Sequence, residues 1–131
     1  MAAGDSILII DDEEQIQVVL KEILKLENYH VTAAFTGRQA REILAKKNNI
    51  RLILLDLSLP DCSGIDLAPQ LSRETQNRIP IIFISGIPEL QEMNLPKGVV
   101  GAIGKPFDLV ELLHTIRRWI GHETLTSNAE S

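Results

Sequence analysis

The sequence predicts an α/β fold in which helices cover both faces of an open, parallel β-sheet. Five short runs of aliphatic and β-branched residues recur along the chain, and segments with helical periodicity lie between them. Three of the runs are apolar throughout, which is typical of strands that are covered on both faces. Strands that alternate with helices imply βαβ units with right-handed crossovers, and hence a parallel sheet.

The predicted strands coincide with the five apolar runs, which are Ile7–Ile10, Val31–Ala34, Leu52–Leu55, Ile81–Ile84 and Val99–Ile103. Each of the first three helices is predicted from apolar residues three and four positions apart. These residues are Ile16, Val19, Leu20, Ile23 and Leu24 for the first helix, Ala40, Ile43 and Leu44 for the second, and Leu67, Ala68 and Leu71 for the third. Strands and helices therefore alternate as far as the fourth strand.

The most regular apolar stripe predicts a last helix over residues 108–120. Its apolar positions are Leu109, Leu112, Leu113, Ile116 and Ile120. Asp108 and Glu111, three residues later, form the pattern of a capping box at the helix N-terminus. Gly121 follows the last apolar position, where a glycine is typical of a helix C-terminus. Both ends of this helix are therefore predicted.

Two segments are less regular. Within residues 86–98, Pro88 can begin a helix, but Pro96 and Gly98 end it after about two turns, so any helix there is short. The sequence after Gly121 is polar and has no periodicity. We therefore expect one domain over residues 1–121, followed by a polar tail or the start of a linker over residues 122–131.

The composition excludes several classes of protein. The chain is 44% hydrophobic and 24% charged, as in an ordinary globular domain. No apolar run approaches the roughly 20 residues of a membrane helix, and the N-terminal residues lack the basic region of a secretory signal. A single cysteine, Cys62, excludes an internal disulfide and a zinc site built on several thiolates. These features predict a cytoplasmic protein.

The charge balance bears on the partners. Thirteen Lys and Arg residues against eighteen Asp and Glu residues give a net charge of -5. A field of this sign repels nucleic acid and anionic lipid. We therefore expect no direct binding to nucleic acid or to membranes, so a role in gene regulation would require another domain or a partner.

Polar residues follow four of the predicted strands, at the edge where an open α/β sheet binds its ligands. Asp11 and Asp12 follow the first strand, Asp56 the third, Ser85 the fourth and Lys105 the fifth. Because the carboxyl ends of parallel strands meet at one edge, these side chains are predicted to converge. The sequence thus places three carboxylates, a hydroxyl and an ammonium in one site.

This set of groups indicates phosphoryl chemistry that depends on a metal. Three adjacent carboxylates repel one another unless a cation lies among them, and an all-oxygen cluster suits Mg²⁺ better than zinc. A carboxylate is also a competent nucleophile toward phosphorus. Asp56 is the predicted nucleophile because it ends the most apolar and hence most central strand. Asp11 and Asp12 would then hold the metal, while Ser85 and Lys105 would contact the phosphoryl oxygens.

Four motifs together carry a family resemblance. They are LIIDDEE, LILLDLSLPDCSG, IIFISG and GKPF, in this order. The pattern closely resembles the response-regulator receiver domain, the phosphoacceptor module of two-component signalling, over residues 6–120. The resemblance implies a flavodoxin-like, three-layer sandwich with a five-stranded sheet in the order 2-1-3-4-5.

The resemblance also implies roles for individual residues. Asp56 matches the phosphorylated aspartate, Asp12 the direct metal ligand, and Asp11 the acidic neighbour that acts largely through water. The backbone carbonyl of Ser58 matches the third protein ligand of the metal. The metal set implied for Mg²⁺ is therefore Asp11, Asp12, Asp56 and Ser58.

On the phosphoryl side, the resemblance implies three further features. Ser85 matches the family's hydroxyl residue, and Lys105 matches the lysine that pairs with the phosphoryl group. Pro106 matches a proline that commonly follows this lysine through a cis peptide bond.

Two features depart from the family pattern. Receivers usually carry Tyr or Phe three residues before the lysine, as the aromatic that changes rotamer on activation, whereas this chain has Ala102. The segment from Ser85 to Lys105 is also shorter than is common and contains Pro96. Since Ala102 has no rotamer to change, we expect the signal to leave the site through residues 86–98.

The resulting hypothesis is a phosphorylation-controlled switch. A sensor histidine kinase or a histidine phosphotransfer protein would phosphorylate Asp56 in the presence of Mg²⁺, and this change would act on a partner or an output domain. Such a receiver catalyses only its own phosphorylation and dephosphorylation, so it is not expected to be an enzyme. Two alternatives stay open: a pseudo-receiver that acts as a constitutive protein-docking module, and a phosphohydrolase, which usually needs a second acid where this chain has Ser58.

Overall fold

The five predicted strands form one parallel sheet in a computed structural model that describes residues 5–86 and 95–120. The strands are Ser6–Ile10 (β1), His30–Ala34 (β2), Ile50–Asp56 (β3), Ile81–Ser85 (β4) and Val99–Gly104 (β5). Their order is β2-β1-β3-β4-β5, and every neighbouring pair is parallel. The predicted sheet and its strand order are therefore confirmed, with each strand slightly longer than its apolar run.

Helices cover both faces of this sheet. Within the described residues they are Glu14–Leu26 (α1), Gly37–Lys46 (α2), Gly64–Glu74 (α3) and Leu109–Ile120 (α4). Side chains of α2 and α3 join one buried apolar cluster with one face of the sheet, and side chains of α1 and α4 join a second cluster with the other face. This arrangement is the predicted three-layer sandwich.

The central strand explains why its sequence is apolar without interruption. β3 lies between β1 and β4, and the four residues Leu52–Leu55 have no exposed surface. Alternate side chains of this run enter the two clusters on opposite faces. Burial of each such side chain stabilises the fold by about 1.5–3 kcal/mol. The strand therefore provides a rigid support for Asp56 at its carboxyl end.

The last helix begins where its capping residue predicts. The Asp108 carboxylate accepts hydrogen bonds from the backbone N–H of Val110 at 3.0 Å and of Glu111 at 3.3 Å. These bonds satisfy two N–H groups that have no partner within the helix. Gly121 and the tail over residues 122–131 lie outside the described residues, as do residues 87–94 of the predicted short helix. No helix among the described residues has the length and apolar character needed to cross a membrane.

The prediction for α1 was wrong at one position. Its buried residues are Gln17, Leu20 and Leu24, whereas Val19, which was assigned to the apolar stripe, is 50% exposed. Residues three, four and seven positions apart share a helix face, so Gln17 lines up with the two leucines and Val19 lies on the flank. A glutamine therefore occupies an interior position next to the sheet.

The loop between β3 and α3 caps a different helix. Asp61 accepts hydrogen bonds from the backbone N–H groups of Gly37 at 2.9 Å and Arg38 at 3.0 Å, at the start of α2. These hydrogen bonds lower the pKa of Asp61 because they favour its charged form. The exposed Asp61 carboxylate thus connects the loop that follows Asp56 to the N-terminus of α2 by two hydrogen bonds.

We expect Asp61→Ala to lower the free energy of unfolding by about 1 kcal/mol at neutral pH, the usual cost of a lost helix cap. Because the pKa of Asp61 is lower in the folded protein, this contribution is present above the ordinary Asp range and is lost as the pH falls through the lowered value. Urea denaturation at neutral and acidic pH would measure both effects. The control is Glu22→Ala, an exposed carboxylate of α1. An equal change in the two variants, or a difference that persists in acid, would contradict the prediction.

Candidate functional site

The polar residues predicted to converge do lie together at the carboxyl edge of the sheet. Asp11 directly follows β1, Asp56 ends β3, Ser85 ends β4 and Lys105 directly follows β5. β1, β3, β4 and β5 are consecutive in the sheet, so their carboxyl ends lie side by side. The parallel topology therefore builds the site from residues that are far apart in the sequence.

Three carboxylates form the acidic part of the site. Asp11, Asp12 and Asp56 each offer an oxygen atom, and these atoms lie within 4.8 Å of one another. Asp11 and Asp56 are buried, whereas Asp12 is exposed, so the cluster opens to solvent on one side. A set of carboxylate oxygens with an open side fits a hard divalent cation such as Mg²⁺, which keeps several waters among its ligands.

Lys105 supplies the positive charge in this cluster. Its Nζ atom lies 2.9 Å from Asp11 Oδ2, 3.1 Å from Glu13 Oε1 and 3.6 Å from Asp56 Oδ2. Glu13 was not among the predicted site residues. Its only signal in the sequence is its place directly after the acidic pair in LIIDDEE. The ammonium is thus closer to two neighbouring carboxylates than to that of Asp56.

The surroundings shift two pKa values in the same direction. Burial, followed by repulsion from Asp11, raises the pKa of Asp56, and attraction to Lys105 offsets part of this effect. Burial alone would lower the pKa of Lys105, but hydrogen bonds to Asp11 and Glu13 outweigh it and raise that pKa. Among the described residues of the site, the carboxylates outnumber the ammonium of Lys105, so a bound cation would relieve the repulsion between them.

The turn after β3 is shaped by a close approach of the backbone. A Cβ atom on Gly64 would lie 2.6 Å from the backbone oxygen of Asp56 and 2.8 Å from Leu57 Cα, so only glycine fits there. The Gly64 N–H donates a hydrogen bond to the Leu57 carbonyl at 2.8 Å. In the same turn, the Ser58 N–H donates to Asp56 Oδ1 at 3.4 Å. The role of the Ser58 carbonyl as a metal ligand stays a prediction.

A backbone hydrogen bond connects Ser85 and Lys105. Ser85 is 4% exposed, and its carbonyl accepts a hydrogen bond from the Lys105 N–H at 2.8 Å. The Lys105–Pro106 peptide bond is cis, which confirms the expectation drawn from the resemblance. The backbone hydrogen bond therefore holds Ser85 and Lys105 next to each other at the carboxyl ends of β4 and β5.

A buried aromatic side chain on β4 lies opposite Ala102 of β5. Ala102 is partly buried, and its partner across the strands is Phe83, which is 1% exposed and belongs to the same apolar cluster. Phe83 precedes Ser85 by two residues, so both side chains are on one face of the strand. Whether the signal leaves through residues 86–98 stays a prediction, since residues 87–94 lie outside the described part of the chain.

Comparison with known proteins decides the family. Residues 7–117 match the response regulator receiver domain. The chain belongs to this family. The matched region includes the acidic pair, Asp56, Ser85, Lys105 and most of α4, so the receiver covers nearly all of the described residues.

The curated relatives include longer proteins. The transcriptional regulatory protein SrrA of Staphylococcus aureus is 32% identical over 128 residues, which are 98% of this chain and 53% of SrrA. The receiver thus spans about half the length of the curated relatives it matches.

Solved structures of receivers confirm the fold. The signal receiver domain of an HD domain-containing protein from Pseudomonas fluorescens matches with a TM-score of 0.81 at 25% identity, covering 99% of this chain and 95% of that chain. The response regulator TrrA from Thermotoga maritima, in complex with Mg(2+)-BeF, matches with a TM-score of 0.79 at 25% identity, covering 88% and 98% of the two chains. The flavodoxin-like fold implied by the resemblance is therefore confirmed.

Proposed function

We propose that this receiver accepts a phosphoryl group on Asp56 from a sensor histidine kinase or a histidine phosphotransfer protein, with Mg²⁺ as the cofactor. The observation that carries the proposal is the position of the Asp56 carboxylate at the end of the central strand. Its Oδ2 atom lies 3.6 Å from the Lys105 ammonium, and it contributes an oxygen to the cluster with Asp11 and Asp12. Membership of the receiver family supports the same reaction.

Asp56 is the nucleophile in the proposed transfer. One of its carboxylate oxygens forms a bond to phosphorus while the bond between phosphorus and the donor's histidine nitrogen breaks. The electron pair of the broken bond stays on that nitrogen. The product is an acyl phosphate on Asp56.

The remaining residues neutralise and orient the transferred group. Asp11 and Asp12, with the backbone carbonyl of Ser58, would hold Mg²⁺, which supplies positive charge toward the phosphoryl oxygens when it is bound. Lys105 would pair with a phosphoryl oxygen through its ammonium. The Ser85 hydroxyl would donate a hydrogen bond to a second phosphoryl oxygen.

Two alternatives are less well supported. A pseudo-receiver that acts as a constitutive docking module has no support in the site, because the acidic cluster and Lys105 are in place. A phosphohydrolase would need a second acid where the chain has Ser58. We therefore propose that the receiver catalyses only its own phosphorylation and dephosphorylation, without turnover of a separate substrate.

The output of the switch is proposed to lie outside this receiver. SrrA is a transcriptional regulatory protein of which the receiver matches about half. The net charge of -5 disfavours direct contact with nucleic acid. A further output domain or a separate effector protein would therefore respond to phosphorylation, and we propose that this occurs in the cytoplasm.

Phosphorylation by a small acyl phosphate donor tests the proposal directly. Intact-mass spectrometry of the protein should show one added phosphoryl group in the presence of Mg²⁺ and little addition when a chelator removes the metal. No labelling, or labelling of equal extent with the chelator, would overturn it. A screen of candidate histidine kinases would then identify the natural donor.

A further inference from the structure

The buried glutamine of α1 contacts the acidic site through the backbone. Gln17 is 5% exposed and lies in the first turns of α1, beside the carboxyl ends of β1 and β2. Its side-chain Nε2 atom donates toward three backbone carbonyls, those of Ile9 at 3.0 Å, Asp11 at 3.0 Å and Ala34 at 2.9 Å. One side chain thereby joins β1, β2 and the turn that carries the acidic pair.

The surroundings require a hydrogen-bond donor at this position. Three carbonyl oxygens converge on the amide nitrogen, and the opposite orientation of the amide would place its own oxygen against all three. The Ala34 carbonyl also accepts from the backbone N–H of Asp11 at 3.0 Å. An apolar side chain at position 17 would remove the hydrogen bonds that the amide donates to these buried carbonyls. Such a loss lowers the free energy of unfolding more than the loss of an exposed hydrogen bond does.

The carbonyl of Asp11 belongs to the peptide group that connects Asp11 to Asp12. Because a peptide group is planar and includes the Asp12 Cα atom, holding this oxygen restricts the position of that Cα atom, from which the Asp12 side chain departs. A second bond holds the other side of the turn, since the Glu13 N–H donates to Asp11 Oδ1 at 2.9 Å. The buried amide of Gln17 and the Glu13 N–H therefore hold the backbone from which the exposed Asp12 carboxylate extends.

We propose that Gln17 is a positioning residue of the metal site: its amide orients the Asp11–Asp12 peptide, so that the carboxylates are arranged for a divalent cation before it binds. The inference rests on the proposed function, since it concerns the same Mg²⁺ site. Groups that orient metal ligands typically change metal affinity by about 10–100-fold when they are removed.

The test uses two substitutions and one matched control. Gln17→Met keeps the length of the side chain without the donor, and Gln17→Asn keeps the amide but withdraws it by one methylene. Leu24→Ala is the control, because Leu24 is buried on the same face of α1 but nearer the other end of the helix. Isothermal titration of the full chain with MgCl₂ gives the Kd, and thermal unfolding gives the stability of each variant.

We expect both Gln17 variants to bind Mg²⁺ about 10-fold more weakly than the wild type, whereas Leu24→Ala keeps its Kd within about 2-fold despite its lower stability. In labelling with an acyl phosphate, the Mg²⁺ concentration that gives half the maximal rate should rise by the same factor. The rate at saturating Mg²⁺ should change much less, because no reacting group is removed.

Three outcomes distinguish the inference from the proposed function. If either folded Gln17 variant binds Mg²⁺ as tightly as the wild type, Gln17 is not a positioning residue. If Leu24→Ala loses as much affinity as the Gln17 variants, the effect belongs to the stability of α1, and the inference also fails. If the wild type itself binds no Mg²⁺, the proposed function fails.

Discussion

Replacement of Asp56 by asparagine is expected to abolish phosphoryl labelling by an acyl phosphate donor, lowering the rate by at least about 1000-fold. An amide has no charged oxygen with which to attack phosphorus. Asp56 is also the carboxylate that ends the central strand, where it is buried next to Lys105 and the acidic pair. Intact-mass spectrometry of the wild type and Asp56→Asn, at equal times and Mg²⁺ concentrations, measures the difference.

The fold should survive this substitution. Burial and the charge of Asp11 raise the pKa of Asp56, so the ionised carboxylate weakens folding at neutral pH, and an uncharged amide removes that repulsion. Circular dichroism should therefore show a folded Asp56→Asn protein. The matched control is Asp66→Asn, an exposed carboxylate in the first turn of α3, which should be labelled like the wild type. Undiminished labelling of Asp56→Asn would place the acceptor elsewhere.

The second large effect concerns the cation. Asp12→Ala is expected to weaken Mg²⁺ binding by about 100-fold, because it removes a carboxylate that the cluster offers as a direct ligand. Isothermal titration of the unphosphorylated protein measures the Kd. Mg²⁺ should also raise the unfolding temperature of the wild type more than that of Asp12→Ala, since a ligand that binds only the folded state stabilises it.

Glu14→Ala provides the control for this result. Glu14 is exposed in the first turn of α1, two residues from Asp12, and has the same charge. Its removal should change the Kd by less than about 2-fold, as expected of a surface charge that is screened by water and salt. Comparable losses in the two variants would indicate a diffuse acidic patch without a defined metal site.

The fold could be predicted from the sequence because the sheet is buried on both faces. Burial requires continuous apolar runs such as Leu52–Leu55, and such runs are easily separated from the helical stripes between them. The position of the site could be predicted from the same parallel topology. Asp11, Asp56, Ser85 and Lys105 each follow or end a strand, and parallel strands bring those ends together whatever the length of the connecting helix.

The contacts that the sequence did not predict all join segments that local patterns treat separately. Glu13 reaches Lys105 across 92 residues of chain, and Asp61 caps a helix that begins 24 residues before it. Gln17 is polar but buried. It faces the interior because α1 packs on the strand ends in an orientation that places its amide against the carbonyls of Ile9 and Ala34. Val19 was misassigned for the same reason. Hydrophobic periodicity predicts the width of the apolar stripe of a helix, but it does not predict how far the helix is rotated about its own axis when it packs on the sheet.

Among the described residues, four carboxylates lie at this site with one ammonium: Asp11, Glu13 and Asp56 are within 3.6 Å of the Lys105 Nζ atom, and Asp12 lies in the acidic cluster with Asp11 and Asp56. The proposed phosphoryl group on Asp56 would add further negative charge and would therefore tighten the binding of a cation among these residues. Thermodynamic linkage requires the reciprocal effect, in which the cation favours the phosphorylated state by the same factor. If Asp56 accepts a phosphoryl group as proposed, the concentration of free divalent cation would act as a second input to the switch, because it would shift the balance between the two states even when the activity of the kinase is constant.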